Sequence, residues 1–213
     1  MIGKTPDKIA AIRPLKHAGI ANLMATEMIA RDIIKRLDKQ YNIGKPEVII
    51  NVHVGITDLE KRAVLKLVSD TGVRRVCLIE EPLSAAIGAG LDIYTPEASM
   101  VVDLGSGVTE TAVISLGKIV TSDSIKVSGD DFDQAIIDFV KKDMNIEIGK
   151  NAAERIKLSL VSTKPVIGKK LEIKGRNLIT GFPKTTNVTA FQVYDTLRGL
   201  FDKILQMIKN TIE

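Results

Sequence analysis

The feature that most constrains this chain is a pair of apolar runs joined by a loop with two glycines, Val101-Val102-Asp103-Leu104-Gly105-Ser106-Gly107-Val108-Thr109-Glu110-Thr111-Ala112-Val113-Ile114. The glycines flank one serine, which lets the backbone turn tightly and bring several N–H groups onto one point, a way to hold phosphate without a cluster of cations. The loop is predicted to join strand to strand, because Val113, Ile114 and Leu116 continue in a β pattern and Gly117-Lys118 reads as a hairpin turn. It is therefore neither a P-loop nor a Rossmann turn, both of which run into a helix. Asp103, closing the first strand, is placed to hold a magnesium ion through its waters, since that ion takes one or two carboxylates plus phosphate oxygens. D-x-G-x-G is also the pattern of an ordinary tight hairpin, so the residues alone leave both readings open.

Upstream, strands and helices alternate. Residues 1–19 show no sustained periodicity and hold Pro6 and Pro14. Ala30, Ile33, Ile34 and Leu37 recur at helical spacing, predicting an amphipathic helix over 22–39, and Tyr41-Asn42-Ile43-Gly44-Lys45-Pro46 is the turn out of it. The apolar run at 48–54 reads as a strand buried on both faces of a parallel sheet. Thr57-Asp58-Leu59-Glu60 has the spacing of a capping box and opens a helix that ends near Gly72. A strand at 76–79, a helix at 82–90 and a strand at 99–104 follow, so the expectation is an α/β fold with a mainly parallel sheet. Beyond the loop the pattern predicts a strand at 119–124 and a helix with Phe132, Ile136, Ile137 and Val140 on its apolar face. A helix at 151–160, a short strand at 171–174 and a long helix from Ala190 follow. That last helix meets no stop signal before Glu213, so the expectation is a chain cut short.

With 213 residues the chain can bury the core of one large or two small domains, and 45% apolar with 26% charged residues is the balance of a soluble globular protein. No apolar run reaches bilayer length, and Met1-Ile2-Gly3-Lys4-Thr5-Pro6 lacks the features of a secretory signal. The single cysteine, Cys77, sits in an apolar strand, where a buried thiol is expected rather than a nucleophile, and the expected setting is the reducing cytoplasm. A net charge of only +4, with lysines interleaved among acids and few aromatics, argues against nucleic acid as a partner.

Six stretches carry a resemblance along nearly the whole chain. They are Ile2-Gly3-Lys4-Thr5-Pro6 with Ala11-Ile12-Arg13-Pro14-Leu15; Val54-Gly55-Ile56-Thr57-Asp58 with Glu60-Lys61-Arg62-Ala63; and Ile79-Glu80-Glu81-Pro82 with Ala85-Ala86-Ile87-Gly88-Ala89-Gly90. Met100-Val101-Val102-Asp103, Ala153-Glu154-Arg155-Ile156-Lys157, and Gly175-Arg176-Asn177-Leu178 with Thr180-Gly181 complete the set. In this order they resemble the actin-like ATPases, and within them the bacterial MreB family. The resemblance implies an actin-like ATPase fold of ribonuclease H-like lobes, truncated at both ends. Residues 1–94 would be the remainder of the first lobe, 95–127 with 183–213 the base of the second, and 128–182 an inserted subdomain. It implies ATP and Mg2+ as cofactors in a cleft between lobes, and assembly into cytoskeletal filaments that shape the cell.

Residue by residue, the resemblance makes 103–110 the second of two phosphate loops, with Asp103, Gly105, Ser106, Gly107 and Val108 at the phosphate tail. It puts Glu81 where the attacking water is positioned, matches Gly129 to a glycine that passes close to the nucleotide, and lays Glu154 and Lys157 along ribose and adenine. Plainer readings stand beside these. Glu81, just before Pro82, could cap a helix N-terminus, and Glu154 with Lys157 could be a surface pair. Asp130, Asp131 and Asp133 read as acids that satisfy a helix dipole rather than as a metal loop.

Four departures from the MreB pattern bear on activity. The first phosphate hairpin and the closing adenine loop with its last strands are not in the sequence. Ser106 and Val108 interrupt the family's D-x-G-G-G-T-T-E, His53 replaces a usual proline and Ser128 a usual glycine. An isopropyl group at Val108 neither donates nor accepts a hydrogen bond, so ATP hydrolysis is expected to be weak or absent. Self-association into filaments, or co-assembly with a full-length relative as a non-catalytic module, is the expected partnership. A kinase or chaperone ATPase of the same fold is the remaining alternative. A feeble membrane contact near Tyr41 and Ile43 would need multivalency along a filament.

Overall fold

The computed structural model describes residues 11–16, 19–42 and 44–213, Lys16 by its backbone alone. The motif at 2–6 and Ile43 of the turn lie outside the described residues. The chain forms two compact units, the first reaching to Lys126 and taking in 210–213, the second running over 127–209. This division is coarser than the three segments implied by the resemblance.

In the first unit a small antiparallel pair, β1 (Leu15–Lys16) and β2 (Gly19–Ile20), precedes α1 (Leu23–Tyr41). The Asn22 side chain accepts the Ala25 N–H at 2.9 Å to start α1, and Asn42 ends it in the left-handed region at φ 51°. β3 (Glu47–Val52), α2 (Asp58–Ser69), β4 (Arg75–Glu80) and α3 (Glu81–Gly88) follow. The capping box forms as read: the Glu60 N–H donates to Thr57 Oγ1 at 3.3 Å and the Thr57 N–H to Glu60 Oε2 at 2.9 Å.

The remainder of this unit is β5 (Ser99–Leu104), β6 (Thr109–Ser115) and β7 (Lys118–Ile125). Among the described residues only β3 and β4 run parallel; β5, β6 and β7 form an antiparallel sheet. The mainly parallel sheet is therefore not what forms. β5 leads into a four-residue loop instead of a crossover helix, and a loop that short can only return the chain antiparallel. Leu116, expected in the return strand, sits in the turn at φ 49° beside Gly117 at φ 73°. Ala86 of α3 packs with Ile93, Ala112 and Ile114 as a dry cluster flanked by Leu83, Val101 and Ile119.

The second unit holds α4 (Gly129–Met144), β8 (Ile146–Glu147), α5 (Lys150–Leu160), β9 (Lys170–Asn177), β10 (Pro183–Thr189) and most of α6 (Ala190–Ile212). Its sheet is antiparallel in the order β10-β9-β8. Ile136, Val140, Ile156, Leu160, Ile173 and Val188 are buried, and the Phe132 ring meets Phe201 of α6 edge-on at 5.4 Å. Among the described residues no helix is long and apolar enough to cross a membrane.

Candidate functional site

The glycine loop is a closed turn between cross-strand partners. Asp103 stands opposite Glu110 and Leu104 opposite Thr109, and the Gly105 N–H donates to the Val108 carbonyl at 3.0 Å. The amides of Ser106, Gly107 and Val108 meet no acceptor among the described residues, so three successive donors are left for an outside acceptor. Gly105 is required by this geometry: a Cβ there would come within 2.8 Å of the Val108 carbonyl oxygen.

Behind the loop lies the last residue of the phosphate-loop pattern, to which the sequence assigns no role of its own. Glu110 is 1% exposed, and its Oε1 accepts the Val54 N–H at 2.7 Å, tying the segment after β3 to β6. Oε2 is buried without a donor. The side chain within hydrogen-bonding reach of this carboxyl is Glu81, another acceptor, and Asp103 adds further negative charge. Burial first, offset partly by the Val54 hydrogen bond and reinforced by Glu81 and Asp103, pushes the Glu110 pKa up to about 7. Glu81 is the first residue of α3, after the N-cap Glu80 whose side chain makes no capping hydrogen bond, and it is the acid of the helix's first turn. The loop pattern includes Glu110 as its closing acid, but its burial shows only in the packing of β6.

A carboxyl that holds its proton more tightly when folded makes stability depend on pH in a fixed direction. The contribution is fully present below about pH 4.5 and is lost as pH rises through about 7. We expect urea melts to give a stability on the order of 2 kcal/mol lower at pH 8 than at pH 5 from this group alone. Glu110→Gln, which keeps an acceptor for Val54 and carries no charge, should flatten that slope; an unchanged slope would assign the pH dependence elsewhere.

In the second unit α4 and α5 bring Gly129 and Lys157 together. Lys157 Nζ donates to the Gly129 carbonyl at 3.0 Å and lies 2.9 Å from Asp133 Oδ1. Lys157 thus pairs with Asp133 rather than with Glu154, which is exposed one turn earlier on α5. Ser128, in place of a usual glycine, is extended at φ −150° and ψ 178°, a conformation open to any residue, and its hydroxyl donates to Asp131 at 2.7 Å. His53 Nδ1 lies 2.8 Å from the Val54 carbonyl, which fixes the hydrogen on that nitrogen.

Among the described residues no group of three or more His, Cys, Asp or Glu side chains could hold a metal ion, so Mg2+ at Asp103 would depend on phosphate oxygens and waters for the rest of its ligands. The hollow of about 420 Å³ between α1, β3 and α2 is apolar, floored by Val48, Ile50 and Val52, with Glu81 on its border. Tyr41 is exposed at the end of α1.

Comparison with known proteins adds the following. The sequence model of the MreB/Mbl protein family matches residues 1–213. The cell shape-determining protein Mbl of Bacillus subtilis is 39% identical over 214 residues, covering 100% of this chain and 64% of that protein. The cell shape-determining protein MreB of Escherichia coli is 40% identical, with 62% of it covered. The crystal structure of MreB5 of Spiroplasma citri bound to ADP superposes with a TM-score of 0.92 at 31% identity, covering 100% of this chain and 64% of that one. The same protein bound to AMPPNP gives 0.91 at 33%. The chain spans about 64% of the length of Mbl.

Proposed function

The chain belongs to the MreB/Mbl family and has the actin-like ATPase fold, and from that premise we propose that it binds ATP in the cytoplasm and enters shape-determining filaments, with slow hydrolysis. The observation that carries this reading is the loop at 105–108, with three amides that meet no acceptor among the described residues and a glycine that its own geometry demands. Those amides would hold phosphate oxygens, and Asp103 would hold Mg2+ through water. MgATP, when bound, supplies the electrophilic phosphorus. Glu81 would orient the attacking water, while Gly129, Glu154 and Lys157 would serve the ribose and adenine side. Val108 offers no hydroxyl, and one missing donor can slow such chemistry on the order of a hundredfold.

Sedimentation with ATP, with ADP and without nucleotide, alone and mixed with Bacillus subtilis Mbl, tests the reading. ATP-dependent pelleting with slow phosphate release is the expected result; neither nucleotide binding nor pelleting in any mixture would overturn it. Val108 also favours a second reading, a non-catalytic module, for which pelleting would occur only in the mixture. Gly105→Ala should weaken binding of a fluorescent ATP analogue about tenfold or more, because the new methyl group pushes the Val108 carbonyl out of the turn. Unchanged affinity would remove the loop from the site.

A further inference from the structure

Charge is unevenly spread over the second unit. Residues 150–184 hold nine lysines and arginines against two acids, Glu154 and Glu172. Lys150, Lys157 and Arg176 each pair with an acid outside that stretch, whereas Arg155, Lys164, Lys169, Lys170 and Lys174 have no carboxylate partner among the described residues. Arg155 and Lys174 border a polar hollow of about 550 Å³ between α5 and β9, together with Asn151, Ala152 and Glu172. One turn along the same face of α5, Leu158 is 78% exposed, and in the connection from α5 to β9, Ile167 is 93% exposed. That connection is held at both ends: the Lys164 N–H closes a local turn onto Ser162 Oγ at 3.2 Å, and the Lys169 carbonyl accepts the Ala190 N–H at 2.9 Å. Ile167 stands between these points beside Gly168, which turns the chain at φ 85°.

Large apolar side chains this exposed, next to cations without counter-charges, suit a partner that offers negative charge and an apolar interior together. We propose that α5, the connection 161–169 and β9 form a docking surface for an anionic lipid bilayer. Arg155 and Lys174 take a lipid phosphate at the hollow, Lys164, Lys169 and Lys170 lie among the headgroups, and Leu158 and Ile167 enter the acyl boundary. Nucleic acid fits this face poorly, because residues 150–177 contain no Phe, Tyr or Trp on which a base could stack. The surface is distinct from the one around Tyr41, which belongs to the first unit, and lipid contact here needs no nucleotide.

The test is flotation of the full nucleotide-free chain with vesicles of phosphatidylcholine containing roughly one third phosphatidylglycerol, against vesicles of phosphatidylcholine alone. Binding to the anionic vesicles only, falling steeply as salt is raised, is the expected result. Lys164→Gln with Lys169→Gln should weaken it about twentyfold, since each lysine near such a surface contributes about fivefold. Ile167→Ser should weaken it about fivefold through the lost apolar contact, and Tyr41→Ser should leave it within about twofold. All four side chains are exposed, so the variants should keep the urea midpoint of the unsubstituted protein. Equal binding to both kinds of vesicle, no binding to either, or a loss confined to Tyr41→Ser would overturn the proposal. So would binding that ignores Ile167→Ser and is competed away by polyglutamate, which would make this face a site for an acidic protein.

Discussion

Replacing Lys157 by methionine is expected to lower the stability of the 127–209 unit by about 3 kcal/mol, read as a drop in urea midpoint by circular dichroism. The Lys157 and Asp133 side chains are 19% and 10% exposed, and they face each other at 2.9 Å between α5 and α4. Asp133 meets no other donor among the described residues, so methionine would leave a nearly buried carboxylate without a partner, and that exposed desolvation cost dominates the loss. The stem of methionine fills much of the same space, which keeps the packing contribution small. The Gly129 carbonyl loses its side-chain donor as well, adding a smaller increment at the start of α4. The double substitution Lys157→Met with Asp133→Leu should recover most of the stability, because removing both partners also removes the unpaired charge. A single substitution that costs less than about 1 kcal/mol would mean that Lys157 is free in solution and available to a nucleotide.

That pairing marks where local signals in the sequence stop and packing takes over. Helical spacing and caps are local signals, and α1, α2 and α3 form close to where residues within one turn of each other place them; the Thr57 and Glu60 capping box lies three positions apart. The loop at 105–108 is legible for the same reason, since its glycines act within four residues. Pairings over longer distances leave no such mark. Val54 meets Glu110 across 56 positions, and nothing near either residue announces the other. Lys157 is legible as a member of a motif but not as the partner of Asp133, because its nearer acid, Glu154, fits the same i,i+3 pattern and only the packing of α4 on α5 decides between them. β10 is the plainest omission: Pro-Lys-Thr-Thr-Asn-Val-Thr has almost no apolar alternation, and it is a strand because β9 offers it a ladder from Pro183 opposite Arg176 to Thr189 opposite Lys170. The expected parallel sheet rests on alternation alone, which cannot tell a crossover from a hairpin until the connection after β5 is measured.

Gly175 should be the least replaceable glycine of the second unit. It lies in β9, where its backbone is not in the left-handed region, so its need is for space and not for torsional freedom. A Cβ there would collide with the Ile146 side chain, come within 2.5 Å of the Glu147 carbonyl oxygen and within 3.0 Å of Ile148 Cγ2. A flexible side chain could yield, but the carbonyl belongs to β8, whose register places Glu147 opposite Arg176, next to Gly175, and Ile146 is fully buried. Gly175→Ala is therefore expected to push β8 off the sheet edge and cost about 3 kcal/mol, with Gly175→Val worse. Gly199 supplies the opposite sign in the same chain: it sits exposed inside α6 with nothing within 4 Å of an added Cβ, so Gly199→Ala should stabilise by about 0.5–1 kcal/mol through helix propensity. Urea melts of the two alanine variants side by side decide the matter, and equal midpoints would mean that β8 gives way freely and that the edge of this sheet is not fixed by close backbone approach.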